Sequence, residues 1–291
     1  MKKQKIASRP LSKIRYALIP AMVLLMGFGL IPKTQPGEPE LAGEIQTALS
    51  DMVPEVQAKA LKAIQDPASF RIPMLIYHYV ENVANPKDKK RQKLNTTPAV
   101  FEKQLTTLID SGYTFVSLSQ VAQVLDSGVP LPPKSVILTF DDGYRDFYTN
   151  VFPLLKKYKV HATAYLVPGF FGQSNYMTLD QVREIAQSGL VEIGAHTMHH
   201  IALAGIPNSK ALKEIVDSKT FLERNLGIAV TTFAYPYGSF NLNTEKIVKG
   251  AGFLTAVSTV FGQHVSQYTR YFLFRIHPGN RVSKFLLHYI R

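Results

Sequence analysis

The chain has 291 residues, 46% of them hydrophobic and 19% charged, a composition that excludes a disordered chain and accommodates one large domain with appendages. Its formal net charge is +12, yet half of that excess sits in Lys2, Lys3, Lys5, Arg9, Lys13 and Arg15, and no basic stretch carries the interleaved aromatics of a nucleic-acid surface. Cysteine is absent, which excludes disulfides and a lipid-modified amino-terminal Cys.

Residues 1–15 form a basic segment that the charge bias keeps in the cytoplasm. Residues 16–31 are uncharged and mostly aliphatic, interrupted by Pro20. As a helix this stretch spans roughly 24 Å, just short of a hydrocarbon core of roughly 30 Å. It reads as a signal anchor or signal peptide. No clear A-x-A cleavage site follows, so an uncleaved anchor is preferred and the remainder is expected outside the cytoplasm, tethered to the cell membrane, or secreted if cleavage occurs. Residues 32–40 hold three prolines and a glycine, the composition of a linker. Leu41, Ile45, Leu49, Met52, Val56, Ala60 and Ile64 then mark one helical face interrupted near Pro54. Residues 32–69 are accordingly read as a linker and helical stalk, with a dimer contact or packing on the main domain as alternatives.

From about residue 70 to 291 the pattern alternates strand and helix. Strands are expected at 72–77, 114–117, 136–140, 162–167, 191–195, 231–235, 255–258 and 272–276. Helices are expected at 99–111 behind Thr97 and Pro98, at 145–158, at 179–188 behind Thr178, and from 208 or 209 to 225 with Gly227 after it. Eight strands with crossover helices predict an α/β domain of irregular or incomplete (β/α) barrel form. An open doubly wound sheet is the runner-up, weakened because no glycine-rich loop follows the first strand.

A parallel barrel gathers the carboxyl ends of its strands at one mouth. There the sequence places His78, the pair Asp141 and Asp142, His196, the Tyr235-Pro236-Tyr237-Gly238 turn, Arg275 and His277. Two adjacent carboxylates resist ionising together unless a cation lies beside them. His196 and His200, four apart, would share one face of a helical turn, and two histidines with a carboxylate suit a divalent metal. His196 with His199 is an alternative spacing. His200 is preferred because Met198, Ile201 and Leu203 can then share a buried face. Tyr144, Tyr235 and Tyr237 could offer ring faces to a sugar.

T-F-D-D-G at 139–143, H-T-x-x-H at 196–200 and the P-Y-G that follows resemble carbohydrate esterase family 4, the NodB-homology polysaccharide deacetylases. The resemblance implies an irregular (β/α) barrel and metal-dependent removal of acetyl groups from N-acetylated sugar polymers. It implies Asp141 as general base, and Asp142, His196 and His200 as ligands of one divalent ion, zinc first, with cobalt, nickel or iron also compatible. A backbone N–H near Tyr237, set by Pro236, would help to hold the oxyanion.

The chain departs from the family pattern in two places. The arginine that usually opens the third motif is replaced by Ala234, and Arg275 is the candidate to orient Asp141 instead. The usual closing Leu-x-His is matched only by a decoy at Leu286-Leu287-His288, whereas His78, three residues after Leu75, resembles that motif moved to the front of the domain and is the candidate general acid. This order, with F-x-x-Q-L-x-x-L-x-x-x-G-Y at 101–113, resembles the subgroup acting on poly-β-1,6-N-acetylglucosamine. The expected partner is an acetylated polysaccharide, exopolysaccharide or cell-wall glycan. An O-acetyl esterase and a catalytically inactive carbohydrate-binding or assembly protein are the alternatives.

Overall fold

A computed structural model describes residues 52–85 and 87–291. The basic segment, the apolar stretch at 16–31 and the linker lie outside these residues. Among the described residues no helix is long and apolar enough to cross a membrane.

The chain enters through α1 (Pro54–Gln65), whose Pro54 stands in its first turn. Val56 and Ala60 are buried in the main core, so this part of the expected stalk packs on the domain. Strand β1 (Phe70–Arg71) pairs antiparallel with β9 (His264–Val265), a small sheet that the hydrophobic pattern did not reveal. The barrel wall is then laid down in order as β2 (Met74–Tyr77), β4 (Ser135–Phe140), β5 (Ala162–Leu166), β6 (Val191–Ala195), β7 (Thr232–Ala234), β8 (Thr255–Phe261) and β10 (Leu273–Arg275), each parallel to its neighbour. The sheet closes where the Ile76 N–H donates to the Ile276 carbonyl at 3.0 Å and the Ile276 N–H donates to Met74 at 2.8 Å. A closed wall in chain order rules out the open doubly wound alternative.

The wall has seven strands among the described residues, not eight. The expected strand at 114–117 shrinks to β3 (Thr114–Phe115), which pairs only with the start of β4. Ser117 and Gln120 form a capping box that starts α4 (Leu118–Ser127), so the chain leaves the sheet before a full strand is made. After a short α2 (Lys89–Leu94) that the pattern does not predict, the expected helices follow their signals: Thr97 caps α3 (Pro98–Asp110), Thr178 and Gln181 box α6 (Leu179–Gln187), and α7 (Asn208–Leu226) ends at a left-handed Gly227. The helix expected at 145–158 contains a π turn at Phe147–Val151 before α5 (Phe152–Tyr158), placed where Pro153 has no N–H for an ordinary turn.

Strand alternation divides the core. Leu75, Leu138, Ala164 and Phe274 pack outward in the larger cluster, while Met74, Ile137, Tyr165, Val257 and Leu273 fill the barrel interior. Gly194 lies beside Tyr165 in register, and a Cβ there would stand 2.4 Å from the Tyr165 ring. Gly194→Ala is expected to destabilise the fold by about 1–3 kcal/mol, read as a fall in melting temperature; an unchanged melting temperature would contradict this packing. Towards the carboxyl ends of the strands the interior turns polar, at Thr139, Asp141 and Arg275, which continue the inward-facing rows of Ile137 and Leu273.

Candidate metal centre and active site

Asp141 and Asp142 leave the end of β4 in different directions. Asp141 continues the inward alternation and is 3% exposed. Asp142 adopts a left-handed φ of 75°, which turns its carboxylate out of that row and towards the loops after β6 and β7. Gly143, at φ 77°, completes the turn with its Cα against Leu166.

Asp142 Oδ1 lies 3.3 Å from His196 Nε2 and 3.0 Å from His200 Nε2. His196 Nδ1 is 2.7 Å from the carbonyl oxygen of Ala234, which can only accept, so Nδ1 carries a proton and Nε2 is the ring atom left to face Asp142 as a ligand. His200 is oriented in the same sense, with Nδ1 3.1 Å from the Tyr237 hydroxyl. Three possible ligand atoms therefore face one another, and Asp142 Oδ1 is buried. Ligand atoms about 2.0–2.1 Å from a tetrahedral zinc stand roughly 3.3 Å apart. The donor set and its spacing fit a divalent ion, and Asp142, His196 and His200 are the group among the described residues that could hold one.

The electrostatics agree. Burial raises the Asp142 carboxyl, but its contacts with His196 and His200 win and hold it well below its ordinary value. Burial lowers the His196 imidazole, yet Asp142 and Asp141 drive it above its ordinary value. The pocket favours positive charge.

His196 and His200 do not lie on a helical turn, as the four-residue spacing suggested. They sit in an irregular loop in which Thr197 (φ 61°) and His200 (φ 54°) are left-handed, and that backbone brings the two rings together. Tyr237, at φ 59°, is left-handed as well. Such conformations in non-glycine residues cost about 1–3 kcal/mol each and persist only where their surroundings over-determine them. His199 turns away, bonding through Nδ1 and its backbone N–H to Glu214 on α7, both at 2.9 Å.

Arg275 spans the barrel interior to Asp141. Its Nη1 and Nη2 donate to the two carboxylate oxygens at 2.7 and 2.8 Å, Nη1 also reaches Thr139 Oγ1 at 3.1 Å, and Nε donates to the Ser258 carbonyl at 2.7 Å. This is the bidentate geometry that a planar guanidinium gives a carboxylate. Burial pushes the Asp141 carboxyl up, and Arg275 overcomes that to hold it below its ordinary value. Thr139 and Ser258 were not anticipated; the inward row of β4 identifies Thr139, but nothing in the sequence marks a backbone acceptor at 258.

His78 leaves β2 at the same mouth. Its Nδ1 is buried without a partner among the described residues, and its ring stacks on His277 at 5.9 Å. Burial lowers its imidazole, while Asp141 and Asp142 pull it back up. Pro236 is buried and Tyr237 is 63% exposed beside His200. Tyr235 is fully buried and cannot offer a ring face to a sugar. The Tyr144 ring is taken up by stacking on Tyr79 at 4.0 Å and on Tyr176 at 5.0 Å. His161 and the decoy His288 are exposed on other elements. A cavity of about 690 Å³ opens at the opposite end of the barrel, lined by Arg71, Lys134 and Ser135, and the metal-binding group has no part in it.

Because the Tyr237 hydroxyl is the partner of His200 Nδ1, Tyr237→Phe is expected to weaken metal binding by about 10–100-fold. A competition titration against a metal-chelating dye measures this; unchanged affinity would show that His200 needs no such support.

The family profile for polysaccharide deacetylase matches residues 128–256. YxkH of Bacillus subtilis (strain 168), provisionally named a polysaccharide deacetylase, is 28% identical over 257 residues, covering 88% of this chain and 86% of that protein. The poly-beta-1,6-N-acetyl-D-glucosamine N-deacetylase of Staphylococcus aureus (strain MRSA252) is 29% identical over 177 residues, which cover 56% of this chain and 61% of the length of that relative. Among solved structures, the deacetylase PplD of Streptococcus pyogenes, in complex with acetate, superposes with a TM-score of 0.71 at 31% identity, covering 76% of this chain and 99% of that one. With its parallel near-barrel and its Asp-His-His group at the strand ends, the chain belongs to the polysaccharide deacetylase family, carbohydrate esterase family 4.

Proposed function

We propose that the chain hydrolyses the acetamide of N-acetylglucosamine units in a polysaccharide, with Asp141 as general base, His78 as general acid, and Asp142, His196 and His200 holding one divalent ion, zinc first. The observation that carries this reading is the buried Arg275–Asp141 pair beside the three converging ligand atoms. A missing Arg at position 234 is offset by an Arg reaching the same carboxylate from β10, which argues against a barrel that has lost catalysis.

When bound, a divalent ion supplies Lewis acidity, lowering the pKa of a coordinated water and polarising the amide carbonyl. Asp141, kept ionised by Arg275, accepts the proton of the attacking water. The two Arg275 bonds occupy one lone-pair direction on each oxygen and leave others for this purpose. The Tyr237 backbone N–H, held by Pro236, donates to the developing oxyanion. His78, at the same mouth of the barrel, delivers a proton to the departing amine, which would otherwise be a poor leaving group.

The S. aureus relatives, whose printed name specifies a β-1,6-linked N-acetylglucosamine polymer, support that polymer as the substrate class. Acetate release from β-1,6-linked N-acetylglucosamine oligomers compared with release from acetylated xylan tests this. Faster release from xylan would replace the amidase reading with that of an O-acetyl esterase. From residues 1–31 we also propose an extracytoplasmic enzyme tethered to the membrane. Recovery of the full chain in the soluble fraction, with residues 1–31 still attached, would contradict the tether.

A further inference from the structure

Asp146 lies four residues beyond Asp142, where the chain has left the turn and entered helical backbone, and is 8% exposed. It has no place in the chemistry above. Its Oδ2 accepts the backbone N–H of Val80, and Asn150, one further turn along, donates from Nδ2 to the Val80 carbonyl at 2.8 Å. Both polar groups of a single peptide residue, two positions after His78, are thus held by side chains from the segment that follows the metal-site carboxylate. The contacts continue on either side of Val80. Glu81 pairs with Arg91, the Arg91 guanidinium lies 4.4 Å from the centre of the Tyr79 ring, and Tyr79 stacks on Tyr144, which lies between Asp142 and Asp146 in sequence.

His78 has no such bond of its own. Among the described residues its Nδ1 lacks a hydrogen-bond partner and its ring stacks on His277, so its place relative to Asp141 depends on the backbone that carries it. A buried carboxyl committed to a backbone N–H is costly to keep, and burial with Glu81 nearby pushes Asp146 up to about 6 against the opposing pull of the Val80 N–H.

We propose that Asp146 is a positioning residue: through the Val80 backbone it locks the loop bearing His78 to the turn bearing Asp141 and Asp142, and so sets the distance between the acid and the base. The proposal rests on the reading of His78 as the group that protonates the leaving amine.

The test is a double-mutant cycle in the metal-loaded full chain, assayed by acetate release from N-acetylglucosamine oligomers. Asp146→Ala is expected to lower kcat by about 30-fold, the scale of a small misplacement of a reacting group, with KM within about threefold and metal content unchanged. Asp146→Asn keeps a carbonyl oxygen for the Val80 N–H and is expected to return kcat to within about threefold of wild type. In a His78→Ala background, Asp146→Ala is expected to cost less than about twofold, because the group it positions is gone. A full loss persisting in that background, or wild-type kcat in Asp146→Ala, would overturn the positioning role. Wild-type activity in His78→Ala alone would instead overturn the acid assignment, and the positioning role with it. Should Asp146→Ala fail to fold, Asn150→Ala, which frees the Val80 carbonyl, runs through the same cycle with an expected loss of about fivefold.

Discussion

Replacing Arg275 by methionine is expected to destabilise the protein by about 3–5 kcal/mol and to reduce deacetylation to near background while leaving metal content intact. Arg275 is 1% exposed and Asp141 3% exposed, so the variant strands a carboxylate inside the barrel with no cation against it. The pH dependence should invert with it. In the wild type the folded-state pKa of Asp141 lies below its ordinary value, so the pair contributes stability above the unfolded pKa, and this is lost as pH falls through the folded value. Without Arg275 the burial that raises this carboxyl is unopposed, the folded pKa lies above the unfolded one, and stability is recovered as pH falls. Melting temperatures of the two proteins should therefore converge on acidification. Adding Asp141→Asn to Arg275→Met removes the stranded charge and should recover most of the lost stability but none of the activity. Parallel melting curves at every pH, or a double variant as unstable as the single, would show that the pair is not coupled as its geometry indicates.

Removing one metal-site histidine should have an effect as large by a different route. His196→Ala deletes a ligand whose tautomer is fixed by Ala234, and is expected to abolish stoichiometric metal binding and to lower activity by about a thousandfold or more. A chelator should do the same to the wild type, and zinc should restore it. An ion held by the folded site alone, at about a thousand times its Kd, should add about 4 kcal/mol of stability to the wild type and little to the variant. Residual activity in metal-free protein near the wild-type level would remove the ion from the account.

Much of this was legible in the sequence, for identifiable reasons. The run at 136–140 is short and mostly apolar and that at 191–195 alternates with Gly189 ahead of it, so strands were recognisable, and polar residues at their carboxyl ends mapped to one mouth. Arg275 could be nominated across 134 residues of chain because it stands at the end of the last expected strand, and in the structure the inward alternation that aligns Ile137, Thr139 and Asp141 also aligns Leu273 and Arg275. The strand expected at 114–117 failed because local capping by Ser117 and Gln120 outcompetes sheet extension, a contest that β propensity does not register. The route by which His196 and His200 converge was misread because a four-residue spacing is ambiguous between a helical turn and a loop with two left-handed residues. The grip of Asp146 and Asn150 on Val80 left no trace at all, since a backbone N–H and carbonyl look alike at every position.

The central claim is that Asp141 moves a proton while Asp142 holds the ion, although the two carboxylates are adjacent. Acetate release and metal content measured together for wild type, Asp141→Asn and Asp142→Asn test it most directly. The expected result is one ion per chain in Asp141→Asn with activity reduced by about 10²–10⁴-fold, and loss of both ion and activity in Asp142→Asn. Equal activity in Asp141→Asn and wild type, or loss of the ion from Asp141→Asn rather than from Asp142→Asn, would contradict the division of labour proposed for this site.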